Sequence, residues 1–265
     1  MIMYFQNLET YRGLIKPADK DELGALRKSC SNKIFEDSTH FTKVVLNNLK
    51  IDTEEYCETE VYAVLVSEYM TVYVSTNLSL KAKDKIKVTH KLFLLNPAHS
   101  KDDKILSTQT LILICKDIDK PSQIDIKSQS GIYSAFKDLV RKEDCDQMSH
   151  MNVQYYFGKH ADAIKCLFNK INSFCAKKVK YKILNERCIF SREVHLNSML
   201  EIVFKVKSIE DKELLLLSKV YSIDHENVSA YFETSISLDV NKQIKKIISD
   251  LFSSNCSTFL NELEF

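Results

Sequence analysis

Glycine and proline are scarce in this chain, at four and three residues among 265. Few turns can therefore rely on glycine's freedom at positive φ, and long regular elements are expected to dominate. No apolar run reaches the roughly 18 residues of a membrane-spanning helix, so none is expected. The opening residues, MIMYFQNLETYRG, lack a basic stretch followed by an apolar one, and no secretory signal is expected. An excess of one charge is missing too. The 37 basic and 36 acidic side chains leave a net +1, which gives no reason to expect nucleic acid or an anionic membrane as the main partner. The eight cysteines form no CxxC pair, and no His/Cys cluster has zinc spacing. They read as reduced, small apolar residues of a cytoplasmic protein.

The hydrophobic fraction, 45%, is enough for a sizeable core, and the length suits one large domain or two ordinary ones. The second half carries the clearest pattern. Between Asn152 and Ile171, apolar residues fall at Val153, Tyr156, Phe157, Ala161, Ile164, Leu167, Phe168 and Ile171. This is helical spacing, with Asn152 as a candidate N-cap. Strands are predicted next: Val179, Tyr181 and Ile183 alternate with lysines, and Met199–Val206, Glu213–Ile223 and Val228–Leu238 follow with short polar links. A last helix is predicted over Val240–Phe252. One long helix followed by an antiparallel meander is an α+β plan.

The first half repeats that plan. An extended start at Thr10–Lys16 leads into a polar turn, then a helix carrying Ile34, Ser38, Phe41, Val45 and Leu49. Strands are predicted at Thr59–Val66, Met70–Leu80, Ile86–Leu95 and Ile105–Cys115. The polar stretch Asp117–Ser130 reads as a linker. The expected division is residues 1–118, a linker over 119–132, and 133–265. Asp21 and Asp146 align at an offset of 125 residues, whereas Ile86 aligns best with Leu200 at an offset of 114. This implies about 11 extra residues around Asn48–Glu58 in the first half.

The chemistry-bearing segment is Glu143-Asp144-Cys145-Asp146-Gln147-Met148-Ser149-His150-Met151-Asn152, followed by Tyr155 and Tyr156. It resembles the start of hotdog-fold thioesterases of the 4-hydroxybenzoyl-CoA type, which read D-x-D-x-x-G-H-x-N-x-x-x-Y before a long central helix. Phe190-Ser191-Arg192-Glu193-Val194 is similar to a stretch that opens a strand in that family. Leu80-Lys81-Ala82-Lys83-Asp84-Lys85-Ile86 resembles the first repeat of double-hotdog relatives, including the betainyl-CoA thioesterase group. The resemblance implies two tandem hotdog domains forming an internal pseudo-dimer, with the acyl chain and pantetheine in the seam.

Thioester hydrolysis needs a carboxylate to attack the carbonyl or activate water, and donors for the oxygen that gains charge. The resemblance places Asp146 as that carboxylate, while a turn or cap aspartate is the plainer reading of the same residue. Asp144 has the weaker claim and would order the strand end. His150 would orient the thioester or hold water, and Asn152 would cap the helix or contact substrate. Ser149 and Met151 would line the substrate site, and Tyr155 and Tyr156 would belong to the core or to its tunnel wall. Ser149 stands where the family carries glycine, which puts the backbone there in question. In the first half Asp21 and Gly24 keep the pattern, but Ala25 and Arg27 replace His and Asn. That site reads as decayed, with Arg27 a candidate contact for a CoA phosphate. Phe35, Glu36 and Asp37 would face the seam.

The expected activity is an acyl-CoA thioesterase needing no metal or organic cofactor. Its partner would be an acyl-CoA or acyl carrier protein thioester, and a homodimer of the fused protomer would be possible. The alternatives are a non-catalytic acyl-CoA-binding protein and a hotdog dehydratase or hydratase.

Overall fold

The computed structural model describes residues 4–20, 25–46, 50–61, 69–82, 85–95, 103–116, 127–254 and 256–258. The chain divides into two compact units, one running to Ile124 and the other from Asp125. Asp21 and Gly24, Lys83 and Asp84, and most of the expected linker lie outside the described residues.

The first unit contains β1 (Tyr4–Leu14), α1 (Lys28–Val45), β2 (Lys50–Val61), β3 (Thr71–Ala82), β4 (Lys85–Leu94) and β5 (Lys104–Lys116). Its strands pair antiparallel in the order β2-β5-β4-β3-β1. Alternation makes β4: Ile86, Val88, His90, Leu92 and Leu94 are buried, and the residues between them are more exposed. Phe35 of α1 joins Val72, Val74, Leu92 and Leu106 in the core. Its ring stacks on His90 at 6.0 Å. Phe35 is therefore a core residue. Asp37 is also buried, and of the three residues assigned to a seam only Glu36 is exposed.

The second unit contains β6 (Lys127–Gln129), β7 (Tyr133–Leu139), α2 (Val153–Ser173), β8 (Tyr181–Phe190), β9 (Met199–Ile209), β10 (Glu213–Ser222), β11 (Asn227–Leu238), α3 (Lys242–Ser253) and β12 (Cys256–Thr258). Five strands run antiparallel in the order β8-β11-β10-β9-β7. This matches the first unit element for element. β6, which falls inside the expected linker, pairs with β12. Helix α2 lies on the sheet through Tyr156, Ala163, Ile164, Leu167, Phe168 and Ile171, all buried. Val153, expected on this face, is exposed. Asn241 caps α3 by accepting from the Ile244 amide at 2.9 Å.

The repeat register differs from the sequence alignment in its second part. The helices α1 and α2 begin 125 residues apart, as expected, and β3 and β9 begin 128 apart, as do β4 and β10. Ile86 therefore corresponds to a position in β10 and not to Leu200 of β9. No insertion of about 11 residues is present, since β2 already begins at Lys50 instead of Thr59. All these strands share a period of two residues, so apolar alternation cannot tell one neighbour from the next.

Candidate active site

The segment between β7 and α2 is built by backbone bonds. A single 3-10 turn, Lys142–Asp144, follows β7, and the Asp144 carboxylate accepts from the Arg141 amide at 3.0 Å. Cys145 and Met151 then form an isolated antiparallel bridge, and the Asn152 amide donates to the Asp144 carbonyl at 2.8 Å. The motif is thus a closed loop whose tip holds Asp146 to His150. The first unit contains the same device 125 residues earlier: a turn over Pro17–Asp19, a Lys20–Leu26 bridge, and Arg27 N donating to Asp19 O at 2.8 Å.

Asp146 is exposed at the loop tip. Its Oδ1 accepts from the amides of Met148 at 2.8 Å and His150 at 3.0 Å. Its Oδ2 takes no hydrogen bond from the described residues and remains open to solvent. Ser149 adopts φ +64°, the left-handed conformation that favours glycine. A serine at this position therefore holds a backbone shape that glycine adopts without strain.

His150 is half-buried, with Nδ1 3.4 Å from the Glu193 carboxylate. Its backbone bridges His195, and the two rings meet edge to face at 4.7 Å. Asn152 occupies the N-cap position, but its side chain accepts no bond from the helix, contrary to expectation. The first-turn amides of α2 consequently lack a side-chain acceptor there, and the helix N-terminus keeps its affinity for negative charge.

Met151 and Tyr156 are buried, and Tyr155 is half-buried. The Tyr156 hydroxyl points to the Arg192 carbonyl at 3.5 Å, and burial pushes its pKa up to about 12. Phe190 packs edge-on against the Tyr156 ring at 5.2 Å and stays 45% exposed, while Met148 is 72% exposed. Of these exposed apolar side chains, that of Met148 belongs to a residue whose own amide holds the Asp146 carboxylate. Phe190 ends β8, and residues 191–194 leave the strand, so this stretch closes a strand where the resemblance implied that it opens one.

Arg27 is exposed in the first unit, where its Nε donates to the Lys20 carbonyl at 2.5 Å. Among the described residues, no group of three or more His, Cys, Asp or Glu side chains is arranged to hold a metal ion. No helix of the described residues is long and apolar enough to cross a membrane.

Sequence reasoning missed Asp138, Lys159 and His195. Lys159 had a detectable signal, since it stands between Tyr156 and Ala163 on the apolar face of α2. Its Nζ bonds Asp138 at 2.6 Å and lies 3.1 Å from the Asp144 carboxylate. Burial opposes its charge, but the two carboxylates outweigh that and raise its pKa.

No protein-family model matches the sequence, and no curated protein matches it. Among solved structures, an acyl-CoA hydrolase from Agrobacterium tumefaciens matches over 89% of this chain and 96% of its own, with a TM-score of 0.63 and 9% identity. A Staphylococcus aureus protein solved in complex with CoA matches over 51% of this chain and 94% of its own, with a TM-score of 0.42 and 13% identity. A gentisyl-coenzyme A thioesterase matches over 43% and 98%, with a TM-score of 0.38 and 13% identity. The chain has the hotdog fold, a long helix laid on an antiparallel sheet, repeated in tandem in its two units.

Proposed function

We propose that this protein hydrolyses acyl thioesters, with acyl-CoA as the substrate class and Asp146 as the catalytic carboxylate. The observation that carries this reading is the geometry of Asp146. Oδ1 is held by two backbone amides, the residue is exposed, and it lies six residues before the N-cap of a helix whose cap side chain makes no bond to it.

In the nucleophilic route, Asp146 Oδ2 attacks the thioester carbonyl carbon. The tetrahedral oxyanion collapses with expulsion of the CoA thiolate, and water hydrolyses the resulting mixed anhydride to the free acid. In the general-base route, Asp146 takes a proton from water as that water attacks. The first-turn amides of α2 supply donors for the oxyanion in both. His150 orients the thioester or a water, and the exposed Met148 and Phe190 offer apolar surface to the acyl or pantetheine part.

The test is free-thiol release from a panel of acyl-CoAs, with Asp146→Ala alongside. Turnover that collapses in the variant supports the assignment, and turnover that persists overturns it. Absence of turnover combined with acyl-CoA binding identifies a binding protein, and hydration of crotonyl-CoA identifies a hydratase. Single turnover in H₂¹⁸O separates the two routes, because only the nucleophilic one can place label in Asp146.

A further inference from the structure

The two units carry the same turn before their helices, but among the described residues a buried lysine meets that turn in the second unit alone. In the first, Asp19 Oδ2 accepts from Lys16 N at 2.6 Å, as Asp144 Oδ2 does from Arg141 N at 3.0 Å in the second. The positions 125 residues before Lys159 and Asp138 are Ile34 and Gly13, both buried and uncharged. The turn therefore forms without a lysine. In the second unit Lys159 reaches from the second turn of α2 to Asp138 on β7 and to Asp144, with all three side chains at most 15% exposed. Burying three charges is costly unless each is paired, so a group not needed to make the turn calls for another role.

We propose that Lys159 is a positioning residue for Asp146, a proposal that rests on the reading of Asp146 as the catalytic carboxylate. The ammonium pins the Asp144 side chain between α2 and β7. The Asp144 carbonyl in turn receives the Asn152 amide, which closes the loop. The first unit makes the same closure without a lysine, so the role of Lys159 is to hold the closed loop, whose Met148 and His150 amides carry Asp146 Oδ1, against β7. The decayed first-unit motif, which has Ala25 and Arg27 in place of His and Asn, has no such lysine.

The experiment compares Lys159→Met, Lys159→Arg and the double variant Lys159→Met/Asp138→Asn with the unaltered protein. Residue-resolved amide hydrogen exchange is measured with kcat and KM for an acyl-CoA that the unaltered protein hydrolyses. In Lys159→Met the Met148 and His150 amides are expected to lose protection while Ile164 and Leu167 keep theirs. The expected kcat loss is about a hundredfold with KM changed less than about twofold, the signature of a misplaced reacting group. Lys159→Arg keeps the ion pair and should recover most of kcat. If Lys159→Met loses protection throughout α2, the double variant decides, since it removes one stranded carboxylate with the cation. Restored α2 protection with Met148 and His150 still exchanging and kcat still low upholds the proposal, and restored kcat overturns it. Unchanged protection at Met148 and His150 in Lys159→Met overturns it as well. Should the unaltered protein hydrolyse no acyl-CoA, the reading of Asp146 fails, while exchange at these two amides still decides whether Lys159 orders the loop.

Discussion

The His150 amide donates to Asp146 Oδ1 at 3.0 Å, so the backbone of one motif residue fixes the carboxylate of another. Each residue type in the motif can then be tested for what it does to that bond or to the charge it orients.

Asp146→Asn separates charge from geometry. Its side-chain oxygen can still accept from Met148 and His150, but the anion is gone. Thioester hydrolysis is expected to fall by about 10³-fold, measured by thiol release. Stability should change by less than about 0.5 kcal/mol by urea unfolding, because the residue is exposed.

Ser149→Gly relieves the left-handed backbone at φ +64°. A side chain costs about 1 kcal/mol in that conformation, so the glycine variant should raise the urea midpoint by the equivalent of about 0.5–1 kcal/mol. A β-branched Ser149→Val should lower it.

His90 is buried between Thr39 and Thr76, which bond its ring nitrogens at 3.1 and 2.7 Å. Burial lowers its pKa from 6.5 to about 3. A depressed histidine pKa means that the unfolded chain takes up the proton first. Its stabilising effect is complete above pH 6.5 and is lost as pH falls toward 3, at about 1.4 kcal/mol per unit. Thermal unfolding of His90→Gln between pH 4.5 and 6.5 should show a shallower pH dependence than that of the unaltered protein.

Glu201 is fully buried, accepts from Ser134 Oγ at 2.6 Å, and lies 3.6 Å from Lys137 Nζ. Glu201→Leu removes this counter-charge from a buried lysine and should cost about 3–5 kcal/mol by denaturant unfolding. The double variant Glu201→Leu/Lys137→Met should recover most of the loss.

Helix α2 was legible because its apolar stripe repeats at 3.6 residues for five turns, a pattern that no strand produces. β10 and β11 were legible because one face is more buried than the other. β7 escaped notice because Ser134 and Lys137 interrupt its short apolar run, and both are buried with Glu201 of β9 as a partner. β6 and β12 are three residues each and exist only because they pair with one another across the second unit.

The sequence by itself determined the α+β class, the tandem plan and the position of the motif before a long helix, because these depend on local periodicity and residue order. Only the tertiary structure decided which strands correspond between the units, that Ser149 holds a left-handed backbone, and that Lys159 joins Asp138 to Asp144. Those facts depend on which side chains meet across elements, and a residue's own neighbours in the chain carry no record of the charge or ring packed against it from another strand.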